Sequence, residues 1–176
     1  MERTMKYFYI LMTTLLLNIS YVNAEAKKPV AVKSSAAFSK LKSLAGTWSG
    51  TKGSGKEAQK VTVHYKVSSG GSSVVETHFP GKPFEMVSIY NDVNGNPQMT
   101  HYCALQNQPT LKMDSSKGNT LKFSFIKGTN LDASKDKHMH SLTLKIIDKN
   151  KIVQEWTEHS NGKAGETSVL KLTRAK

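Results

Sequence analysis

A regular alternation of short apolar/polar runs and turns is the feature that most limits how this chain can fold. Between Gly46 and Thr173, runs such as Val61-Thr62-Val63-His64-Tyr65 place apolar residues at every second position. This period of two predicts β-strands with one buried face. Gly70-Gly71 and Asn94-Gly95 fall between such runs, and pairs of this kind favour hairpin turns. The pattern predicts about ten antiparallel strands without helical crossovers.

The edges of such a sheet decide its architecture. About ten strands paired in sequence order leave two open edges unless the first strand pairs with the last. We therefore expect an all-β fold, an antiparallel up-and-down β-barrel, with a β-sandwich as the alternative. A short N-terminal helix is expected before the barrel, because Ser34 or Ser35 could cap it. Its apolar face would carry Phe38, Leu41 and Leu44 or Ala45.

The first 24 residues have the pattern of a secretory signal peptide. Arg3 and Lys6 precede a short apolar run from Tyr7 to Leu17, and small residues follow up to Ala24. The run is too short for a membrane span, and none is expected in the mature protein. We predict a signal peptide over 1–24, a flexible leader over 25–35 and one barrel domain over 36–176. The protein is expected to be exported, either to the periplasm or out of the cell.

The charge balance argues against a specific nucleic-acid partner. The net charge is +12, but only two of the 25 basic residues are arginine. Arginine makes the bidentate phosphate contacts and base-stacking contacts of such interfaces. The lysines are scattered among the polar positions of the strands, which predicts a solvated basic surface with only weak adhesion to acidic polymers. The single cysteine, Cys103, cannot form an internal disulfide.

Several motifs carry a resemblance to known proteins. The opening Gly46-Thr47-Trp48, entered from a short helix, resembles the start of lipocalin-like (calycin) barrels, in which a Gly-x-Trp begins the first strand. The body of the chain resembles an uncharacterised family of exported bacterial lipocalin-like proteins, a domain of unknown function. The motifs that carry this second resemblance are Gly70–Thr77, His101-Tyr102-Cys103, Asn107-Gln108-Pro109, His138–Thr143 and Gln154-Glu155-Trp156. The resemblance spans about residues 38–174; it implies a barrel fold and export, and no established activity.

The strand predicted over Gln98–Leu105 carries the main candidate site. Met99, His101, Cys103 and Leu105 would share one face of that strand, because alternate side chains point the same way. A second predicted strand, His138–Asp148, would place His138 and His140 on the face of Leu142 and Leu144. The apolar neighbours suggest that all these histidines point into the barrel.

The function that this pattern favours is binding of a small, partly apolar ligand inside the barrel. Barrels of this size can enclose a ligand, and amides at a pocket mouth both donate and accept hydrogen bonds. The predicted ligand-binding residues are His101, Cys103, Asn107, Gln108, His138, His140, Glu76, Gln154 and Trp156. The competing interpretation is that Asn107 and Gln108 build the turn before Pro109 while the aromatic residues fill the core.

Cofactor binding is the alternative function. Two histidines one residue apart on a strand lie about 7 Å apart at Cα, so His138 and His140 could chelate a divalent metal with His101 as a third ligand. Haem would need one histidine ligand among His101, His138, His140 and His159. No nucleophile elbow, phosphate-binding loop or paired-carboxylate spacing is present, and Cys103 has no histidine in line with it. We therefore predict no catalytic residues and favour a binding protein over an enzyme.

Overall fold

The computed structural model describes residues 34–53, 55 and 58–176. The predicted signal peptide and residues 25–33 of the predicted leader lie outside these residues. Within them, no helix has the length and apolar character needed to cross a membrane.

One short helix and ten strands make up the described chain. Helix α1 spans Ala36–Ser43, and Ser35 is its N-cap, since the Ser35 hydroxyl accepts from the backbone N–H of Phe38. The strands are β1 Gly46–Lys52, β2 Gln59–Ser68, β3 Ser73–His78, β4 Met86–Val93, β5 Asn96–Tyr102, β6 Gln108–Lys117, β7 Thr120–Thr129, β8 His138–Asp148, β9 Lys151–Ser160 and β10 Lys163–Arg174. The 3₁₀ turn Ser69–Gly71 joins β2 to β3.

The ten strands close into one antiparallel barrel, as the sequence predicted. Each strand pairs with its neighbour in sequence, and β1 pairs with β10 in the register Trp48 to Arg174. Closure gives each of the ten described strands two paired neighbours, which reduces the aggregation hazard that an open meander would carry. The up-and-down barrel is therefore confirmed over the sandwich.

Helix α1 covers one end of the barrel, which we call the helix end. Phe38, Leu41 and Leu44 are buried there, whereas Ala45 is exposed. The indole N–H of Trp48 donates to the carbonyl oxygen of Leu44 over 2.8 Å, so the chain leaving the helix is fixed to the first strand. The guanidinium of Arg174 lies 4.3 Å from the Trp48 ring centroid and covers it.

The interior of the barrel changes character along its axis. Near the helix end it is apolar, with the buried side chains of Val74, Leu121, Leu144, Ile152 and Leu172. Towards the opposite end, which we call the mouth, buried polar side chains interrupt the apolar core. These are Glu76, His78, Ser88, His101 and Gln154. Because an isolated buried polar group is costly, such a cluster is the part of the interior that most needs an explanation.

Two strands depart from the predicted alternation near the mouth. Strand β5 ends at Tyr102, and Leu105 is exposed in the following turn, so Cys103 and Leu105 do not continue the inward face of Met99 and His101. Strand β8 contains a bulge between Met139 and Ser141. A bulge adds one residue and reverses the alternation beyond it.

Candidate functional site

Four buried side chains lie side by side on adjacent strands of the barrel, close to the mouth. Tyr65 of β2 pairs with Glu76 of β3, Glu76 pairs with Ser88 of β4, and Ser88 pairs with His101 of β5. Residues that face each other across antiparallel strands point to the same side of the sheet, so all four project into the barrel. Register alone therefore brings a carboxylate, two hydroxyls and an imidazole together.

The carboxylate of Glu76 is the centre of this cluster. The Tyr65 hydroxyl donates to Oε1 over 2.6 Å, and the Tyr90 hydroxyl donates to Oε2 over 2.7 Å. The side-chain amide of Gln154 also donates to Oε1 from β9, on the opposite side of the barrel. In turn the Trp156 indole N–H donates to the Gln154 carbonyl oxygen over 3.0 Å. The network ties β2, β3, β4 and β9 together through one buried acid.

The same contacts set the charge of Glu76. Burial by itself raises the pKa of this carboxyl group, since the charged form loses its water. Positive charge on the His78 ring, at ion-pair distance, and the hydrogen bonds from Tyr65 and Tyr90 act in the opposite direction, and together they hold the pKa at about 2. Glu76 is therefore ionised at neutral pH. Burial, followed by the neighbouring negative charge of Glu76, raises the pKa values of both tyrosines, which stay protonated donors.

His78 lies on the mouth side of this carboxylate. Its Nε2 is 3.0 Å from Oε1 of Glu76, an ion-pair distance, but no hydrogen bond of acceptable direction reaches that nitrogen. The His78 ring packs edge-on against Trp156, with centroids 5.9 Å apart, and its side chain is 4 % exposed. This nitrogen therefore faces the carboxylate, and the rest of the ring is left to line the space at the mouth.

His101 completes the polar base of the mouth. Its Nδ1 lies 2.9 Å from the Ser88 hydroxyl, and its ring packs on Trp156 with centroids 5.0 Å apart. Burial and the nearby positive charge of His78 lower the pKa of His101 to about 4, although the charge of Glu76 acts to raise it. At neutral pH the ring is uncharged. Since Nδ1 is engaged with Ser88, Nε2 is the nitrogen through which His101 can meet a ligand.

A cavity of about 50 Å³ lies directly above these two imidazoles. Apart from the histidines its wall is formed mainly by apolar side chains. The lining residues are Lys52, His78, Phe79, Met86, His101, Met139, Trp156, Ser168 and Leu170. An apolar cavity that binds benzene measures about 150 Å³. This one therefore admits a few non-hydrogen atoms, and a porphyrin does not fit in it.

Four of the predicted ligand-binding residues meet at this site. Glu76 and Gln154 are joined by a hydrogen bond, while His101 and Trp156 line the cavity. Sequence reasoning missed His78, Met86 and Met139, which also line it. His78 follows Glu76 at the next inward position of β3, so the period of two could have found it. The loop residue Phe79 gave no comparable signal.

The other candidates on the key strand belong to the turn after β5. The backbone N–H of Cys103 donates to the carbonyl oxygen of Asn107, and the Asn107 amide donates to the carbonyl oxygen of Lys137 over 2.8 Å. Gln108 accepts from the Asn130 amide over 3.1 Å. Cys103, Asn107 and Gln108 thus hold two loops together outside the cavity wall. Cys103 is half-buried, and burial raises the pKa of its thiol.

His138 and His140 form a separate cluster with His159. Because of the bulge in β8, Met139 rather than either histidine reaches the cavity. Nε2 of His138 lies 3.1 Å from Nδ1 of His140, and the rings of His140 and His159 are stacked with centroids 3.5 Å apart. Phe125 packs on both His138 and His140. His138 is fully buried, but neither it nor His140 lines the cavity at the mouth.

The residues of the predicted metal site are divided between these two clusters. His101 contacts Ser88 and Trp156, whereas His138 and His140 contact each other. Across residues 34–53, 55 and 58–176, no group of three or more histidine, cysteine, aspartate or glutamate side chains is arranged to hold a metal ion.

Comparison of the chain with known proteins gave no matching family model and no matching curated sequence. The geometry at the mouth is therefore what supports a function.

Proposed function

We propose that the protein binds a small, partly apolar ligand at the barrel mouth, with the end of the ligand inserted into the cavity above His78 and His101. The observation that carries this proposal is the combination of an apolar wall with two buried imidazoles at its base. Ligand sites commonly pair a mostly apolar lining with a few polar groups that fix orientation.

The wall and the base would recognise different parts of the ligand. Met86, Met139 and Leu170 offer flexible apolar contacts, and Trp156 offers a flat one. The base offers Nε2 of His101 and the His78 ring, which together can accept from or donate to one polar atom. Lys52 lies on the lining and can reach a polar or anionic group that stays outside.

The size of the cavity limits what enters. A volume of about 50 Å³ accepts the tip of a ligand rather than a whole extended lipid. The rest of the barrel interior is filled by core side chains and by the Glu76 network. We therefore expect fragments with a narrow unbranched tip to act as probes, namely 1-propanol, 1-butanol, propionate and butyrate.

A two-dimensional NMR titration with these four probes would test the proposal. Binding at the mouth should shift the Trp156 indole N–H signal, because that ring lines the cavity. Met86→Trp, which fills the cavity, should abolish the shift, whereas Ile89→Trp on the exposed face of the same strand should not. Absence of any shift, or shifts that persist in Met86→Trp, would contradict the proposal.

We also propose that the protein is exported through residues 1–24 and that it is related to the exported lipocalin-like proteins it resembles. The support is the charge and apolar pattern of those residues in the sequence. Expression of the full chain in a bacterial host, followed by fractionation and intact-mass measurement, tests export. A mature form beginning near Glu25 outside the cytoplasm is expected; an uncleaved cytoplasmic form would contradict it.

A further inference from the structure

A second concave surface lies on the outside of the barrel, over strands β4 to β7. It is an open depression of about 590 Å³, lined mainly by side chains that point away from the core. That volume falls within the range of about 300–1,000 Å³ typical of small-molecule sites. The ladder between β5 and β6 is confined here to Gln98–Thr100, and Pro109 has no N–H with which to extend it.

The side chains of this outer groove are polar and almost uncharged. Those that matter for binding are Asn91, Gln98, Thr100, Tyr102, Gln108 and Thr110. Lys127 is its one charged lining residue among those the structure describes, although more than a fifth of the whole chain is charged. A comparable surface depression beside β10 is lined by Lys52, Glu166 and Lys171. The low charge is therefore a property of this groove rather than of the barrel surface in general.

Two features organise the groove for a ligand. Tyr102 is 47 % exposed, so its ring offers an apolar face beside the polar side chains. The hydroxyl groups of Thr100 and Thr110 lie 3.1 Å apart, and the Gln108 amide is held by Asn130 and by the Gln106 carbonyl oxygen. Side chains fixed in this way lose less conformational entropy on binding than mobile ones.

We propose that this outer groove binds a neutral oligosaccharide, with the Tyr102 ring stacked on a sugar face and the amides of Gln98 and Gln108 bonded to sugar hydroxyls. Amides and hydroxyls both donate and accept, which matches a ligand made of hydroxyl groups. The low charge gives no preference for an anionic or a cationic partner, and the polar floor disfavours a purely apolar one. The site is independent of the barrel mouth.

Isothermal titration with cellohexaose, maltohexaose and chitohexaose tests this proposal. We expect at least one of the three to bind, and Tyr102→Ala to weaken that binding by about tenfold, or about 1.4 kcal/mol. Tyr102→Phe keeps the ring and should bind nearly as the parent chain does. Gln98→Ala should weaken binding further when combined with Tyr102→Ala.

Two control variants separate the groove from the rest of the molecule. Ile147→Ala removes a similarly exposed apolar side chain far along β8 from this groove and should leave binding unchanged. Met86→Trp blocks the mouth and should also leave oligosaccharide binding at the outer groove unchanged. The test of the groove therefore does not depend on whether the mouth binds a ligand. No binding to any of the three sugars, or equal binding by Tyr102→Ala, would overturn the inference.

Discussion

Nε2 of His78 and Oε1 of Glu76 lie 3.0 Å apart inside the barrel, two residues apart on the same face of β3. Both side chains are almost completely shielded from solvent, at 4 % and 0 % exposure. A charge in this position is retained only when several partners compensate for its lost hydration. The pair therefore forms a polar floor that is costly to disturb and separates the apolar core from the cavity.

Removal of the Glu76 carboxylate should destabilise the barrel strongly. Glu76→Ala leaves Tyr65, Tyr90 and Gln154 without their shared acceptor. Breaking a buried charged network of this kind costs about 3–5 kcal/mol. Urea unfolding followed by circular dichroism would measure the loss. The matched control is Glu155→Ala, whose ion pair with Lys145 is partly exposed and should contribute less than about 1 kcal/mol.

Acidification should weaken the fold before Glu76 takes up its proton. The pKa of His101 is about 4 in the folded protein, whereas an unfolded histidine titrates near 6.5. Between these values the unfolded chain binds more protons, so stability falls as the pH falls, by about 3 kcal/mol in total. The carboxylate of Glu76 remains ionised through this range, because its pKa is about 2.

The contribution of His101 to the pH dependence of stability can be isolated with a single variant. His101→Gln keeps a polar partner for Ser88 but cannot titrate, so the slope of stability between pH 6.5 and 4 should become shallower. Burial lowers the pKa values of His140 and His159 as well, and their contribution to the slope should remain. His64→Gln, on the exposed face of β2, is the control. An identical slope for His101→Gln and the parent chain would show that this ring does not carry the effect.

The thiol of Cys103 should react slowly with alkylating and disulfide reagents. It is half-buried, and burial raises its pKa, so little thiolate is present near neutral pH. Leu105→Cys in a Cys103→Ser background places a thiol at an exposed position of the same turn. We expect that thiol to react about tenfold faster with Ellman's reagent at pH 8. Equal rates would mean that the turn opens readily.

Strand β1 should not tolerate a side chain at position 50. A Cβ built on Gly50 would lie 1.9 Å from the backbone carbonyl oxygen of Lys171 on β10, and backbone cannot move aside as a side chain does. Gly50→Ala should therefore cost about 3 kcal/mol, the upper end of the usual range for overpacking, measured by urea or thermal unfolding. Gly165→Ala is the control, because its Cβ meets only the flexible Glu158 side chain at 3.1 Å. A near-neutral Gly50→Ala would require β1 and β10 to shift apart.

The fold was predictable because its signals are local. The period of two in Val61, Val63 and Tyr65 placed their side chains in the core, and Ser35 capped the helix as its residue type suggested. Barrel closure followed from the need to pair two edges. Such patterns depend only on neighbouring residues and on the periodicity of the backbone.

The site was predictable only in part, because its geometry depends on irregular backbone. Glu76, His101, Gln154 and Trp156 lie on uninterrupted stretches of strand, where alternate side chains keep pointing to the same side of the sheet. Cys103 lies beyond the end of β5, and the bulge beside His140 reverses the alternation in β8. Neither the end of β5 nor the bulge in β8 has a recognisable signature in the sequence. The cavity also depends on Met139, which the bulge turns inwards.

The pairing of β1 with β10 has a consequence for how the protein is made. The first and last strands of the barrel are neighbours, and the final residues of β10 include Arg174, which donates to the carbonyl oxygens of Ser43 and Ala45. A chain emerging from a ribosome or a translocation pore therefore cannot complete the barrel until all of β10 is free. Until then one edge of β1 is unpaired. We expect the nascent chain to be prone to non-native strand pairing and aggregation during this time.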